Sequence, residues 1–226
     1  MPEFPDVEVY VDRLSALTVG KPLEAVRVLS FFLLRTVDPP LAAFQGLAPK
    51  KVSRLGKRIV FSFEKDGEEL HLVIHLMIAG RFHWKKHLAP IPKGNGLAAF
   101  DFPNGTLILT ESGSKKRASL HAVSGKDSLL EFQRGGLEIF ESSAVDFISR
   151  LRLENHTLKR TLTDPSLFSG IGNAYSDEIL HRARLSPILL TSKISDEEAK
   201  RLFDATQQVL SEWKKKIADE TGDGFP

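Results

Sequence analysis

Apolar positions recur along this chain with two different periods, and the change between them divides it. Val7, Tyr10, Val11, Leu14 and Leu17 fall at helical spacing, and Gly20 stops the pattern. The next hundred residues read as short strands. Residues 58–64 and 70–77 are rich in β-branched and aromatic side chains around the turn signal Asp66-Gly67. Residues 98–102 and 106–110 form a second pair around Pro103-Asn104-Gly105. Several such strands predict a sandwich or barrel. Past about residue 125 the period becomes 3.6, with helical patterns over 143–152, 156–163, 174–184 and 195–217. Ser128-Leu129-Leu130-Glu131 predicts a capping box, and Arg134-Gly135-Gly136 breaks that segment. The pattern predicts an α+β protein: a strand-rich domain over 1–134, a linker at 135–142 and an all-helical domain over 143–226. The last residues, 221–226, complete no predicted element, which implies a chain cut short of one.

Composition narrows the classes. The 226 residues are 42% hydrophobic and 27% charged, the balance of a globular domain. That excludes a disordered chain, a collagen-like repeat and a disulfide scaffold. With no cysteine, iron–sulfur clusters, thiolate zinc sites and cysteine nucleophiles are excluded as well. No apolar run is long enough to cross a bilayer and no secretory leader is recognisable, so a soluble cytoplasmic protein is expected. The net charge of +2 decides nothing, but its distribution does. Residues 51–100 hold nine Lys/Arg against four Asp/Glu, and Lys50, Lys51, Arg54, Lys57 and Arg58 form a run free of acids. Lys115-Lys116-Arg117 repeats the theme. The two clusters fit a localised surface for a polyanion and equally a solvated charged face.

Three features carry candidate chemistry. His71/His75 and His83/His87 are each four apart, but no acidic ligand accompanies them at metal spacing, so structural histidines are expected and no metal site. Gly-x-Ser-x-Gly, Walker and dinucleotide motifs are absent. Ser169-Gly170-Ile171-Gly172-Asn173 leads straight into a helical pattern. Glycines there let backbone N–H groups approach a phosphate, with Asn173 as a further donor; the same residues also suit a tight corner with Asn173 as N-cap. Lys159 and Arg160 lie one helix upstream. Finally, Pro2 follows the initiator methionine. Removal of Met1 would leave a secondary amine titrating at roughly pH 7.7–8, partly neutral at pH 7 as a carbonyl-attacking nucleophile requires, with Glu3 beside it as proton carrier.

Taken together, these residues resemble the formamidopyrimidine-DNA glycosylase/endonuclease VIII family. The resemblance rests on residues 2–8 from Pro2-Glu3, on Arg54 to Arg58, on His75-Leu76-Met77-Ile78-Ala79-Gly80, and on the stretch from Leu158-Lys159 through Glu178. It implies an N-terminal β-sandwich with flanking helices, a C-terminal domain with a helix–two-turn–helix, and a cleft between them for double-stranded DNA bearing damaged bases or abasic sites. It implies a monomeric glycosylase/lyase in which Pro2 attacks the sugar of a flipped nucleotide, with β,δ-elimination following the Schiff base. Carried over by position, Pro2, Glu3 and Lys57 are catalytic. Lys159, Asn173, Gly170, Gly172, Arg117, Ile78 and His75 contact DNA. The alternative implied by the same fold is a damaged-DNA-binding protein without turnover.

The chain departs from the family pattern at four places. Asp6 stands where Glu is usual. Ile78 replaces the methionine that enters the vacated duplex, with Met77 one place earlier and, by strand alternation, expected to point away. The wedge loop reads Glu111-Ser-Gly-Ser-Lys-Lys-Arg117 with no aromatic, which weakens the wedge. The cysteine-bearing zinc element that many members carry near the C-terminus is not in this sequence, so no cofactor is expected in this chain.

Overall fold

The computed structural model of the protein describes residues 1–226. Helix α1, Phe4–Thr18, starts where the sequence supplies Glu3 as N-cap, Pro5 in the first turn, and Asp6, whose Oδ2 accepts the Glu3 N–H at 2.9 Å. Eight strands follow. They are β1 Ala25–Val28, β2 Lys51–Leu55, β3 Arg58–Lys65, β4 Glu68–His75, β5 Gly80–Lys85, β6 Gly96–Phe102, β7 Gly105–Glu111 and β8 Ser119–Ser124. They form two antiparallel four-stranded sheets ordered β1-β6-β7-β5 and β2-β3-β4-β8. Alternate residues of both sheets, among them Phe61, Phe63, Leu72, Ile74, Phe100 and Leu109, meet in one core, so the domain is a sandwich.

Apolar runs without alternation also have a cause. β4 reads Leu70 to Ile74 with His71 because its outer face is covered too: Val60, Val73 and Val123 pack under Leu129 and Phe132 from helix α2, Gly125–Leu130, and the residues after it. The expected capping box at Ser128 does not form. Gly125, at φ +78°, turns the chain from β8 directly into α2, so Ser128 lies inside the helix and Glu131 at its C-cap. The strand expected over 70–77 ends at His75. Leu76 to Ala79 make a turn with Met77 at φ +54°, so strand alternation no longer sets where Met77 points.

Four helices make the second domain: α3 Ala144–Leu151, α4 Leu158–Thr163, α5 Asn173–Ala183 and α6 Asp196–Thr221. Their core contains Phe147, Leu162, Phe168, Ile179, Leu202 and Val209. α4 and α5 are joined by two turns spanning 164–172. None of the helices is long and apolar enough to cross a membrane.

The division by residue number is less clean than the sequence suggests. α1 serves both cores: Val7, Tyr10 and Leu14 enter the sandwich, while Phe4 and Val9 enter the helical core. Ile139, inside the expected linker, is fully buried among the helices. The terminal residues are not loose. Phe225 stacks on Tyr10 with ring centroids 5.4 Å apart, and the Tyr10 hydroxyl donates to the Pro226 carbonyl at 2.6 Å.

Candidate active site at the interdomain cleft

The N-terminal segment enters the helical domain rather than lying on it. The Phe4 N–H donates to the Gly170 carbonyl at 2.9 Å. The Glu3 side chain, only 4% exposed, then reaches the N-terminus of α5. Its Oε2 accepts the N–H groups of Gly172 at 2.8 Å and Tyr175 at 3.2 Å, and its Oε1 accepts that of Ala174 at 3.0 Å. Those are the donors that a helix start leaves without intrahelical partners, and a carboxylate is the group the helix dipole favours there. Gly172, not Asn173, is the N-cap, and no side chain of its own segment caps the helix. The reading of Asn173 as N-cap is therefore corrected: it is the exposed first residue of α5.

Gly172 is a glycine for steric reasons. A Cβ there would lie 2.4 Å from the Lys57 Nζ and 2.5 Å from the Glu3 carboxylate. Gly170 adopts φ +80° and leaves only 3.1 Å for a Cβ beside Phe4. Lys57 arrives from the tight turn between β2 and β3, where Gly56 has φ +61°. Burial pulls the Lys57 ammonium below its ordinary pKa, and the Glu3 carboxylate works in the opposite direction.

Lys57 also borders a cavity of about 580 Å³ between the domains, shared with Met1, Arg58, His75, Met77 and Phe132. Met77, expected to point away, thus lines the cleft. His75 Nδ1 accepts the Met77 N–H at 3.1 Å, which leaves Nε2 to carry the proton of the neutral ring. Burial first, then Arg58, Lys57 and His121, push its pKa down to about 4, so it is a neutral donor at pH 7.

Pro2 is buried and lines a neighbouring cavity of about 210 Å³ with Asp6, Tyr10, Arg81 and Tyr175. With Met1 attached, its nitrogen is an amide. Met1 lines both cavities and is 46% exposed, so its removal would open the Pro2 nitrogen to the junction between them. The Asp6 carboxyl is raised above its ordinary pKa, chiefly by burial, and the Tyr10 phenol is pushed up to about 12 for the same reason.

The structure thus brings Glu3 and Lys57 together at Gly172, places Lys57, His75 and Gly170 around one cavity, and sets Pro2 in the neighbouring one. It does not gather the rest. Lys159 pairs with Asp177 at 2.7 Å on the outside of α4 and α5. Ile78 is 58% exposed at the tip of the β4–β5 turn. Arg117 is exposed in the β7–β8 loop, where its backbone N–H donates to Glu111 at 2.8 Å.

Sequence reasoning missed the residue that ties the domains together. The Arg54 guanidinium, 9% exposed, pairs with Glu8 of α1 at 2.7 Å and with Glu138 before α3, and lies 4.4 Å over the Phe4 ring. Arg54 entered the sequence reading only within the basic run, read as a surface for a polyanion or a solvated face, and within the Arg54–Arg58 stretch of the resemblance, neither of which points to an ion pair with Glu8 and Glu138. Asp6 was readable as the fourth member of Glu3-x-x-Asp6, a capping-box pattern. For the zinc that the resemblance associates with many relatives, these residues offer no donor set. The chain has no cysteine, and no three His, Asp or Glu side chains come together.

Comparison with known proteins agrees with this geometry. The profile of the formamidopyrimidine-DNA glycosylase N-terminal domain matches residues 1–112, and that of the H2TH domain of the same enzymes matches residues 138–221. A formamidopyrimidine-DNA glycosylase of Solibacter usitatus is 34% identical over 94% of this chain and 76% of its own length. One from Thermus thermophilus is 33% identical over 94% and 75%. A solved Lactococcus lactis Fpg in complex with DNA containing an abasic site superposes with a TM-score of 0.86 at 23% identity, over 99% of this chain and 83% of that one. At that identity the superposition establishes the fold.

Proposed function

The chain belongs to the formamidopyrimidine-DNA glycosylase/endonuclease VIII family, and from that membership we propose that it is a base-excision-repair DNA glycosylase/lyase acting through a Schiff base on Pro2. The observation that carries the reading is the meeting of Pro2, Glu3 and Lys57 with the Gly170–Gly172 turn where the two domains join. A neutral secondary amine there, once Met1 is gone, forms a bond to C1′ of a damaged nucleotide as the glycosidic bond breaks and its electrons leave with the base. Transfer of the amine proton to O4′ as the C1′–O4′ bond opens gives an iminium and a free hydroxyl. Loss of the C2′ proton sends electrons into it and expels the 3′-phosphate; a second elimination expels the 5′-phosphate.

Each of these steps asks something of a residue in place. The three backbone donors hold Glu3 still beside Pro2, and Oε1, with one of them, keeps a lone pair for a substrate proton. Asp6, whose carboxyl burial raises above its ordinary pKa, lines the same cavity as Pro2. Lys57 and the neutral His75 Nε2–H suit the oxygens of a phosphodiester, as do Asn173 and the backbone at Gly170, whereas the Gly172 N–H is taken by Glu3. Arg117, Ile78 and Lys159 face solvent around the cleft, where contact with the duplex requires approach of the DNA to them. No cofactor enters the scheme. The substrate is double-stranded DNA with oxidised bases or abasic sites, met by a monomer in the cytoplasm.

Borohydride trapping tests the proposal. Protein whose N-terminus is verified as Pro2 is expected to give a covalent adduct with abasic-site DNA, abolished by Pro2→Gly and by retained Met1. The second reading, a damaged-DNA-binding protein without turnover, applies where Met1 is retained and the Pro2 nitrogen stays an amide. Tight binding without trapping from a verified proline N-terminus would establish that reading.

A further inference from the structure

Strand register puts a row of basic groups on the outer face of the second sheet. Arg58 of β3 lies opposite His75 of β4, and His121 of β8 lies opposite Val73, one position along the same face. The Phe132 ring closes over this end of the sheet, with His121 edge-on at 4.9 Å and the Arg58 guanidinium 5.7 Å from its centroid. Arg134 follows two residues later, immediately before the linker. It lines the interdomain cavity with Arg58, Lys57 and His75.

What this cluster lacks is a counter-charge. Elsewhere at the domain junction Arg54 is matched by Glu8 and Glu138, and Lys214 by Glu8 and Asp12. Arg58 makes one long hydrogen bond, 3.5 Å to the Phe132 carbonyl, and no ion pair, and Arg134 has neither. Burial and the facing Arg134 both lower the Arg58 pKa. Two guanidiniums that repel one another in a half-closed cavity, each with a planar fork of free donors, form a site whose missing partner is an anion with several oxygens.

We propose that Arg58 and Arg134, with Phe132 as the platform that fixes Arg58, bind a second phosphodiester of the nucleic-acid backbone, next to the one assigned to Lys57. This rests on the DNA-binding reading above and extends it to the linker side of the cleft. Because Arg58 lies in β3 and Arg134 in the segment after α2, the bound phosphate also ties that segment to the sheet.

The test is equilibrium binding of the full chain to a duplex carrying a tetrahydrofuran abasic-site analogue, over a series of KCl concentrations. Each lost phosphate contact reduces the slope of log K against log salt by about 0.9. Arg58→Gln and Arg134→Gln together remove one phosphate contact and are expected to reduce the slope by about 0.9, as is Lys57→Ala. Arg58→Lys, which keeps a point charge, should hold it. A methylphosphonate at the contacted phosphate should weaken the wild type and leave the double variant unaffected. An unchanged slope in the double variant, with Lys57→Ala still lowering it, overturns this inference alone; a wild type that does not bind the duplex overturns the reading beneath it. Thermal protection of the wild type by inorganic phosphate, absent in the double variant and accompanied by an unchanged duplex slope, would assign the site to a free anion and overturn the backbone assignment. If Arg58→Gln loses its native circular dichroism, the exposed Arg134→Gln decides by itself.

Discussion

The Glu3 carboxylate accepts the Gly172 backbone N–H at 2.8 Å across 169 residues of chain. One side chain therefore caps the helix that starts the second domain and anchors the segment that carries Pro2 in the first. The same atoms that would orient the nucleophile hold the two halves of the cleft in register, so changes at Glu3 combine stability and chemistry.

Glu3→Ala leaves three N–H groups at the start of α5 without their acceptor, in a site closed to water. It is expected to lower unfolding free energy by about 3 kcal/mol, measured by urea denaturation. Glu3→Gln keeps one acceptor oxygen and should cost less. With the neighbouring negative charge gone, the Lys57 pKa should fall further below its ordinary value. NMR titration of the Lys57 Nζ reads this directly, and a pKa that holds or rises would contradict the placement of the two groups.

Gly172→Ala places a methyl group where Lys57 Nζ and the Glu3 carboxylate now sit, 2.4 and 2.5 Å away. Glu3 is held by three hydrogen bonds and Lys57 by a flexible stem, so Lys57 moves. Borohydride trapping with abasic-site DNA should fall roughly 100-fold for a displacement of this kind. Trapping at the wild-type rate would show that Lys57 has no part in presenting the sugar.

The low pKa of His75 makes stability depend on pH. The folded protein resists protonating this ring, whereas the unfolded chain accepts the proton near pH 6.5. The native state therefore loses stability as pH falls from 6.5 towards 4, by about 3 kcal/mol at the lower end. Denaturant melts across that range should show the loss, and His75→Gln should remove most of it. Identical pH profiles for the two proteins would contradict the burial of a neutral ring.

Arg54→Met removes both carboxylate partnerships and the stack on Phe4. A loss of roughly 1.5–3 kcal/mol is expected from the charged hydrogen bonds, with faster tryptic cleavage after Arg134 as the domains separate. Arg54→Lys restores charge but neither the fork nor the stack, and should rescue only part. Cleavage kinetics equal to the wild type would show that Arg54 does not hold the domains.

The turn that carries Met77 and Ile78 closes through the Gly80 N–H to the Leu76 carbonyl at 2.9 Å. A Cβ at Gly80 would lie 2.2 Å from that carbonyl oxygen, and backbone cannot yield as a side chain can. Gly80→Ala is expected to cost about 1–3 kcal/mol and to weaken binding to an abasic-site duplex. Unchanged affinity would remove this turn from the DNA surface.

Much of the fold was legible because its elements obey near-neighbour rules. α6, expected over 195–217, runs over Asp196–Thr221 behind a Ser195–Glu198 capping box, and β3 and β4 flank the Asp66-Gly67 turn as expected. The four-residue β1 was missed because Ala25–Val28 is only half-buried along its length and shows no alternation. β5 escaped because His83 and Lys85 interrupt an apolar stripe reduced to Phe82 and Trp84. The capping box at Ser128 failed because a glycine at positive φ launched the helix three residues earlier.

The sequence by itself determined which segments could be helix or strand, that Pro2 and Glu3 open the chain, and that a glycine turn leads into α5. Those are properties of residues within a few positions of one another, set by backbone sterics and the period of apolar side chains. Only the tertiary structure decided that Glu3, rather than Asn173, caps α5, that Arg54 is a clasp, that Met77 faces the cleft, and that Arg58 and Arg134 meet without a counter-ion. The partner of a charge is whatever packing brings within a few ångströms, and no local pattern records an encounter between the two ends of a chain.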